Sequence, residues 1–238
     1  MTLHARRDPL PPALIALTVM SGFIDAVSYL GLGHVFTANM TGNIVILGFA
    51  SAGAPGFSTG ASLTSLAAFL AGAVIAGRLN TTLPSRRARV LTGLTAEAVL
   101  LGIATVATGG VGVSDAGGRY LGIALLALAM GLRNATVRGL AIPDMTTTNV
   151  LTSILTGLAA DSNLAGGTNP RVVRRVASVL SMLLGAYLGA LLLRHTGISW
   201  PLLVTAACVT VIAAGYAIHP GSRQASTAAN AVTPHDEK

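Results

Sequence analysis

Three ionisable side chains, Asp25, Glu97 and Arg133, stand inside stretches that are otherwise apolar. A charge at the centre of a bilayer costs on the order of 3 kcal/mol on insertion scales, so a charge kept there calls for a partner or a purpose. Burial disfavours the charged form of a carboxyl. Asp25 and Glu97 are therefore candidates for a proton or cation relay, or for contact with a solute. Arg133 is the candidate counter-ion for Asp25. Its plainer role is to snorkel toward the interface, because it lies near one end of its apolar run.

Two polar strings add to these candidates. One is Thr37-Ala38-Asn39-Met40-Thr41-Gly42-Asn43, and the other is Pro143-Asp144-Met145-Thr146-Thr147-Thr148-Asn149. Amides and hydroxyls at this density are expensive in lipid unless they meet a cavity or another segment. Thr37, Asn39, Thr41, Asn43, Thr147, Thr148 and Asn149, with Asn134 beside Arg133, are thus read as a substrate or ion pathway. The N-terminal dipole of a short helix starting at either string would suit an anionic group. The plainer alternative is that these groups glue helices together.

No catalytic residue and no metal site is expected. His4, His34, His195, His219 and His235 have no metal-ligand spacing with one another or with Cys208. Phosphate-cradling loops, nucleophile elbows and zinc-protease helices are absent from the sequence. No cofactor is implied, and the chain is not expected to be an enzyme.

The elements that must hold these residues follow from composition. Of 238 residues, 52% are hydrophobic and only 10% are charged. An average soluble domain has about 25% charged residues, so this chain cannot build a hydrated shell. The net charge of +7 does not point to nucleic acid. Lys238 is the sole lysine, and the arginines cluster at the ends of apolar runs, where topology signals belong. The expected partners are the lipid bilayer and an unknown small solute or ion, with assembly into a homo-oligomer compatible with the composition.

Six apolar stretches are long enough to span, at about 12–32, 59–79, 89–108, 119–138, 172–193 and 199–218. Two shorter and more polar stretches, Val35–Ala50 and Met145–Ala160, are read as re-entrant or half-span helices. With both re-entrant, twelve basic residues fall on the side of the N-terminus and two, Arg119 and Arg194, on the other. The alternatives give weaker asymmetry or place Arg6 and Arg7 outside, so the positive-inside rule favours six spans with both termini cytoplasmic. Residues 1–11 are then a cytoplasmic N-terminus, 12–218 a single transmembrane domain, and 219–238 a disordered C-terminal tail.

The chain also resembles itself. Gly22-Phe23-Ile24-Asp25-Ala26-Val27 aligns with Gly131-Leu132-Arg133-Asn134-Ala135-Thr136 at an offset of 109, which also pairs Thr37 with Thr146 and Gly48 with Gly157. The halves, about 12–108 and 119–218, each read long, short, long, long. Three full spans per half make the second half inverted, an arrangement typical of transporters. The expected fold is an all-α integral membrane protein with a two-fold inverted repeat.

The strings quoted above, together with Val35-Phe36 before the first and Leu155-Thr156-Gly157-Leu158-Ala159-Ala160-Asp161 after the second, resemble the YoaK-like family of bacterial membrane proteins. The family is classed as a domain of unknown function. The resemblance covers about 13–215. It implies a multi-pass inner-membrane protein and supplies no activity, substrate or cofactor. The family often carries glutamine where Met40 and Arg133 stand here.

The function expected from the residues is a small transporter or channel, proton-coupled through Asp25, with polar short helices lining a midplane site. An accessory or structural membrane protein is the alternative. A membrane-embedded enzyme acting on lipid-linked groups ranks below both, because Ser28, His34, Asp25 and Glu97 show no catalytic spacing.

Overall fold

The computed structural model describes residues 9–110, 115–140, 151–168 and 171–222. Those residues form eight α-helices: α1 (Leu10–Gly31), α2 (Met40–Ser51), α3 (Thr59–Thr82), α4 (Arg86–Gly110), α5 (Ala116–Gly139), α6 (Leu151–Ala160), α7 (Val172–Thr196) and α8 (Ser199–Ile218). No strand occurs among the described residues. Six of the helices have 20 to 25 residues and are apolar enough to cross a membrane. At 1.5 Å per residue these are about 30–38 Å long, enough for the hydrocarbon core. The fold is an all-α multi-pass membrane protein, as the sequence indicates. The predicted tail and the first eight residues lie almost wholly outside the described residues, and so do Thr147, Thr148 and Asn149.

Local chemistry fixes where the helices start. Pro11 and Pro12 occupy the first turn of α1, where a missing N–H costs nothing. Side-chain oxygens cap four others: Asn39 accepts from Gly42 N at α2, Ser58 from Ala61 N at α3, Ser85 from Ala88 N at α4, and Asp115 from Gly118 N at α5.

Glycines then set the packing. A Cβ at Gly22 would collide with the Met182 carbonyl, and one at Gly185 with the Val19 carbonyl, so α1 and α7 lie backbone to backbone. Gly131 and Gly72 make the matching contacts with the Phe69 and Leu128 carbonyls between α5 and α3. Small residues allow this approach and the dispersion gain that accompanies it. Both pairs run parallel. Gly31 lies against Leu193 and Ile198 at the end of α7. Gly60 lies against Tyr120 and Gly139 against Asn80, matching start to start and end to end for α3 and α5.

These contacts give the direction of every long helix. Gly33, just after α1, lies near Arg119 at the start of α5. We call the end of the bundle where α1 begins the near end, and the opposite end the far end. Helices α1, α4 and α7 run from near to far, and α3, α5 and α8 run back. Arg87 at the start of α4 donates to the Ala217 carbonyl at the end of α8, which confirms that both lie at the near end. Helices α5, α7 and α8 thus run opposite to α1, α3 and α4, taken in order.

The short helix α2 does not cross. His34, before it, shares a hydrogen bond with the Gly56 carbonyl, after it, and its ring stacks edge-on to Phe57 at 5.9 Å. Both flanks of α2 thus lie at the far end. Helix α6 is tied to the near end by Arg175, in the first turn of α7, which donates to the Gly157 carbonyl and to Asp161. The exposed apolar side chains of α2 and α7, such as Ile44, Val45, Leu183 and Leu184, are those expected of lipid-facing surface.

This arrangement predicts a specific labelling pattern. In a Cys208→Ala background, cysteines at Ser51 and Asp115 will react with an impermeant thiol reagent from one side of the membrane, and a cysteine at Ser85 only from the other. Ser51 and Ser85 reacting from the same side would contradict the re-entrant path of α2.

Candidate functional site

Asp25 is buried in the last third of α1, six residues before the helix ends. Six residues correspond to about 9 Å of helix. The chain beyond Gly31 folds back to that depth, and Asp25 Oδ1 accepts from Thr37 N at 3.1 Å and Ala38 N at 2.8 Å. These N–H groups immediately precede the start of α2, so the carboxylate also lies at the positive end of that helix. Asp25 Oδ2 is buried with no hydrogen-bond partner. The Thr37 hydroxyl reaches Ser28 Oγ at 3.4 Å, and Ser28 Oγ donates to the Asp25 carbonyl at 3.2 Å.

Asn43 holds the other part of the turn. Its Oδ1 accepts from Phe36 N at 2.9 Å and its Nδ2 donates to Phe36 O at 2.6 Å, so one amide satisfies a whole peptide residue. Ser65, on α3, also donates to Phe36 O, at 2.7 Å. The string expected to be helical from Val35 is therefore a loop up to Asn39. The reason is that Asp25, Asn43 and Ser65 provide the backbone partners that helix formation would otherwise supply.

The predicted pathway residues divide accordingly. Asp25, Thr37, Asn39 and Asn43 come together around the start of α2. Thr41 is exposed on the outer side of that helix. Asn134 donates to the Met130 carbonyl of its own helix at 2.9 Å. Helices α2 and α6 pack on α3 and α7 respectively.

Arg133 departs most from expectation. It neither snorkels nor pairs with Asp25. It is only 2% exposed, and its Nε donates to Glu97 Oε2 at 2.9 Å while Nη2 donates to Glu97 Oε1. Its Nη1 donates to the Leu17 carbonyl and to Ser21 Oγ, each at 2.9 Å. One guanidinium thus binds α1, α4 and α5 together through the two-pronged geometry that arginine offers a carboxylate. A sequence signal for this pair did exist. Glu97 and Arg133 are equally far from Asp115, in the connection between α4 and α5, so an antiparallel hairpin sets them opposite each other. Gly93 against Thr136 and Gly122 against Thr108 follow the same register.

Beside the pair is a cavity of about 20 Å³, measured to water centres, which is room for about one water. Its walls come from the first half of α1, the first half of α4 and the last half of α5, among them Leu10, Leu14, Val90, Leu94, Thr136 and Leu140. It therefore lies on the near-end side of Glu97 and Arg133. No cluster of His, Cys, Asp and Glu able to hold a metal occurs among the described residues.

Residues 13–215 match the family described as protein of unknown function (DUF1275). The chain belongs to this family. It is also 35% identical over 166 residues to the UPF0700 transmembrane protein YoaK of Bacillus subtilis (strain 168), covering 68% of this chain and 69% of that protein. No solved structure matches. The relative's description as a transmembrane protein agrees with the six long apolar helices seen here.

Breaking the ion pair tests its energetic role. Glu97→Leu leaves a buried guanidinium unanswered and will lower stability by about 3–5 kcal/mol. Adding Arg133→Leu to Glu97→Leu will recover most of that loss, read as thermal unfolding of the detergent-purified protein. A double variant as unstable as the single one would show that the pair is not the source of the loss.

Proposed function

We propose that the chain is a small proton-coupled transporter or channel of the bacterial inner membrane, with both termini cytoplasmic and with its two halves an inverted internal repeat. The near end is then the cytoplasmic side. Arg78, Arg86, Arg87, Arg89, Arg138, Arg171, Arg174 and Arg175 belong to helix ends or connections on that side, as the positive-inside rule requires.

The observation that carries the reading is Asp25. A carboxylate within a spanning helix is expensive, and this one has one oxygen occupied by the turn before α2 and the other unpaired. Such a group binds a proton or a cation more readily than it stays bare in a low dielectric. Protonation weakens its charge-assisted hold on Thr37 N and Ala38 N, and so loosens the turn that fixes α2 at the far end. A proton arriving at Asp25 is thereby linked to movement of a re-entrant helix. The opposite directions of the second half's long helices support alternating access, since inverted halves can exchange roles across the membrane. No catalytic role and no cofactor is part of this reading, and the partners are the bilayer and a small solute or ion.

The test is reconstitution into proteoliposomes with a pH-sensitive dye inside. An imposed pH gradient will drive proton entry through the wild-type protein, and Asp25→Asn will reduce that flux by at least about tenfold, as befits an intramembrane relay group. Equal flux and equal pH dependence in the two proteins would rule out Asp25 as the proton carrier.

A further inference from the structure

Among the described residues Arg133 heads the largest fully buried side chains, and the carboxylate bonded to it is Glu97. Its other partners, the Leu17 carbonyl and Ser21 Oγ, are neutral. Asp25 is committed to Thr37 N and Ala38 N and is not bonded to Arg133. Withdrawal or neutralisation of Glu97 is therefore favoured when another anion takes its place, because a guanidinium left buried without a bonded anion is costly.

The cavity on the near-end side reaches this pair. Leu10, Leu14, Val90 and Leu94 make its walls apolar, and the Thr136 side chain closes against Gly93. The near end around it carries Arg86, Arg87, Arg89 and Arg138, which raise the local concentration of anions. The Glu97 carboxylate itself outlines the ligand. It is planar, presents two oxygens, and faces Nε and Nη2 side by side. If it swings away, it vacates a carboxylate-sized space that adjoins a cavity with room for about one more water.

We propose that Arg133 is the binding residue for a small monovalent carboxylate, of formate or acetate size, which replaces Glu97 on the guanidinium while Glu97 withdraws as the neutral acid. This names the solute class for the transport reading above and rests on that reading for its purpose. No covalent bond forms. One proton passes from near-end water to a Glu97 oxygen, one solute carboxylate takes up the bidentate contact, and the net charge of the site is unchanged. Proton and anion are coupled by the cost of burying either charge alone. Because the proton is taken up with the anion, binding tightens as pH falls, by about tenfold per pH unit while Glu97 is ionised in the free protein.

The charged surroundings of Glu97 are few. From α5 it meets Arg133, and α1 presents no ionisable group closer than Asp25. Helix α8 carries Cys208 and Tyr216. On α4 itself, Arg89 is the nearest charge, two turns toward the near end.

Titration calorimetry of the detergent-purified protein with sodium formate and sodium acetate, run in two buffers of different ionisation heat, reads anion affinity and proton uptake together. The wild-type protein is expected to take up about one proton per anion, with Kd falling about tenfold per pH unit. Glu97→Gln is expected to bind the same anions with no proton uptake and no pH dependence, and Arg133→Gln not to bind them. If Glu97→Gln does not fold, Glu97→Asp serves instead: its shorter acid holds Arg133 less well, so it will bind tighter and still take up a proton. Absence of anion binding by the wild type and the folded Glu97 variant across the pH range overturns the proposal. So does wild-type binding without proton uptake, or proton uptake that survives Glu97→Gln. Anion binding as described with no flux in proteoliposomes supports the site and removes the transport reading. Asp25-dependent proton flux with no carboxylate binding does the reverse.

Discussion

Backbone polar groups at the depth of the hydrocarbon have no water to turn to, and the segment between α1 and α2 is where this protein meets that constraint. A helix can break there only if something else bonds each freed N–H and C=O. The protein assigns Asn43 and Ser65 to Phe36, Asp25 to Thr37 and Ala38, and Asn39 to Gly42. With these partners the chain reverses inside the membrane and α2 returns to the far end. Without the reversal, α3 would start from the wrong side, and the parallel pairing of α3 with α5 would be impossible. The polar string is thus first of all the condition for the topology, and any use of Asp25 by a moving proton is built on a group that already has structural work.

The second constraint is the close approach of α1 to α7 and of α3 to α5. Gly22, Gly185, Gly131 and Gly72 each face a carbonyl across the contact. The α1 and α5 glycines are 109 apart, as in the sequence alignment of the halves, whereas the α7 and α3 glycines are 113 apart. The difference of four residues is about one helical turn, so the same helix face is presented in both contacts. The contacts match between the halves even where a fixed offset fails.

Much of the fold was legible in the sequence, because span length and flanking charge are one-dimensional quantities. The six predicted stretches and the six long helices agree to within a few residues at most ends, as with 199–218 and Ser199–Ile218. The site was legible only in part. Sequence shows that Arg133 lies inside the membrane, but depth alone does not say which helix its face meets. The repeat placed Arg133 next to the counterpart of Asp25, and that suggested the wrong partner. The hairpin register of α4 and α5 would have given Glu97. The loop over Val35–Asn39 was hidden for a related reason: its backbone partners come from residues up to 29 positions away, as with Ser65 and Phe36, and no local pattern records them.

Helix α1 connects the two buried sites. Ser21 receives Arg133, Asp25 holds the turn before α2, and the two residues are one helical turn apart, with Gly22 between them against α7. The tight glycine contacts make α1 with α7 one unit and α3 with α5 another. Direct packing between α1 and α5 is sparse, so much of what joins the two units there is the guanidinium of Arg133 with its bonds to Leu17 and Ser21. A rocking movement of one unit against the other would leave the glycine contacts intact and act on this seam. The seam is held by a buried guanidinium, and its neighbour one turn away is a carboxylate with one oxygen unpaired. The two buried sites therefore sit on adjacent turns of the one helix, α1, that both units share as their boundary.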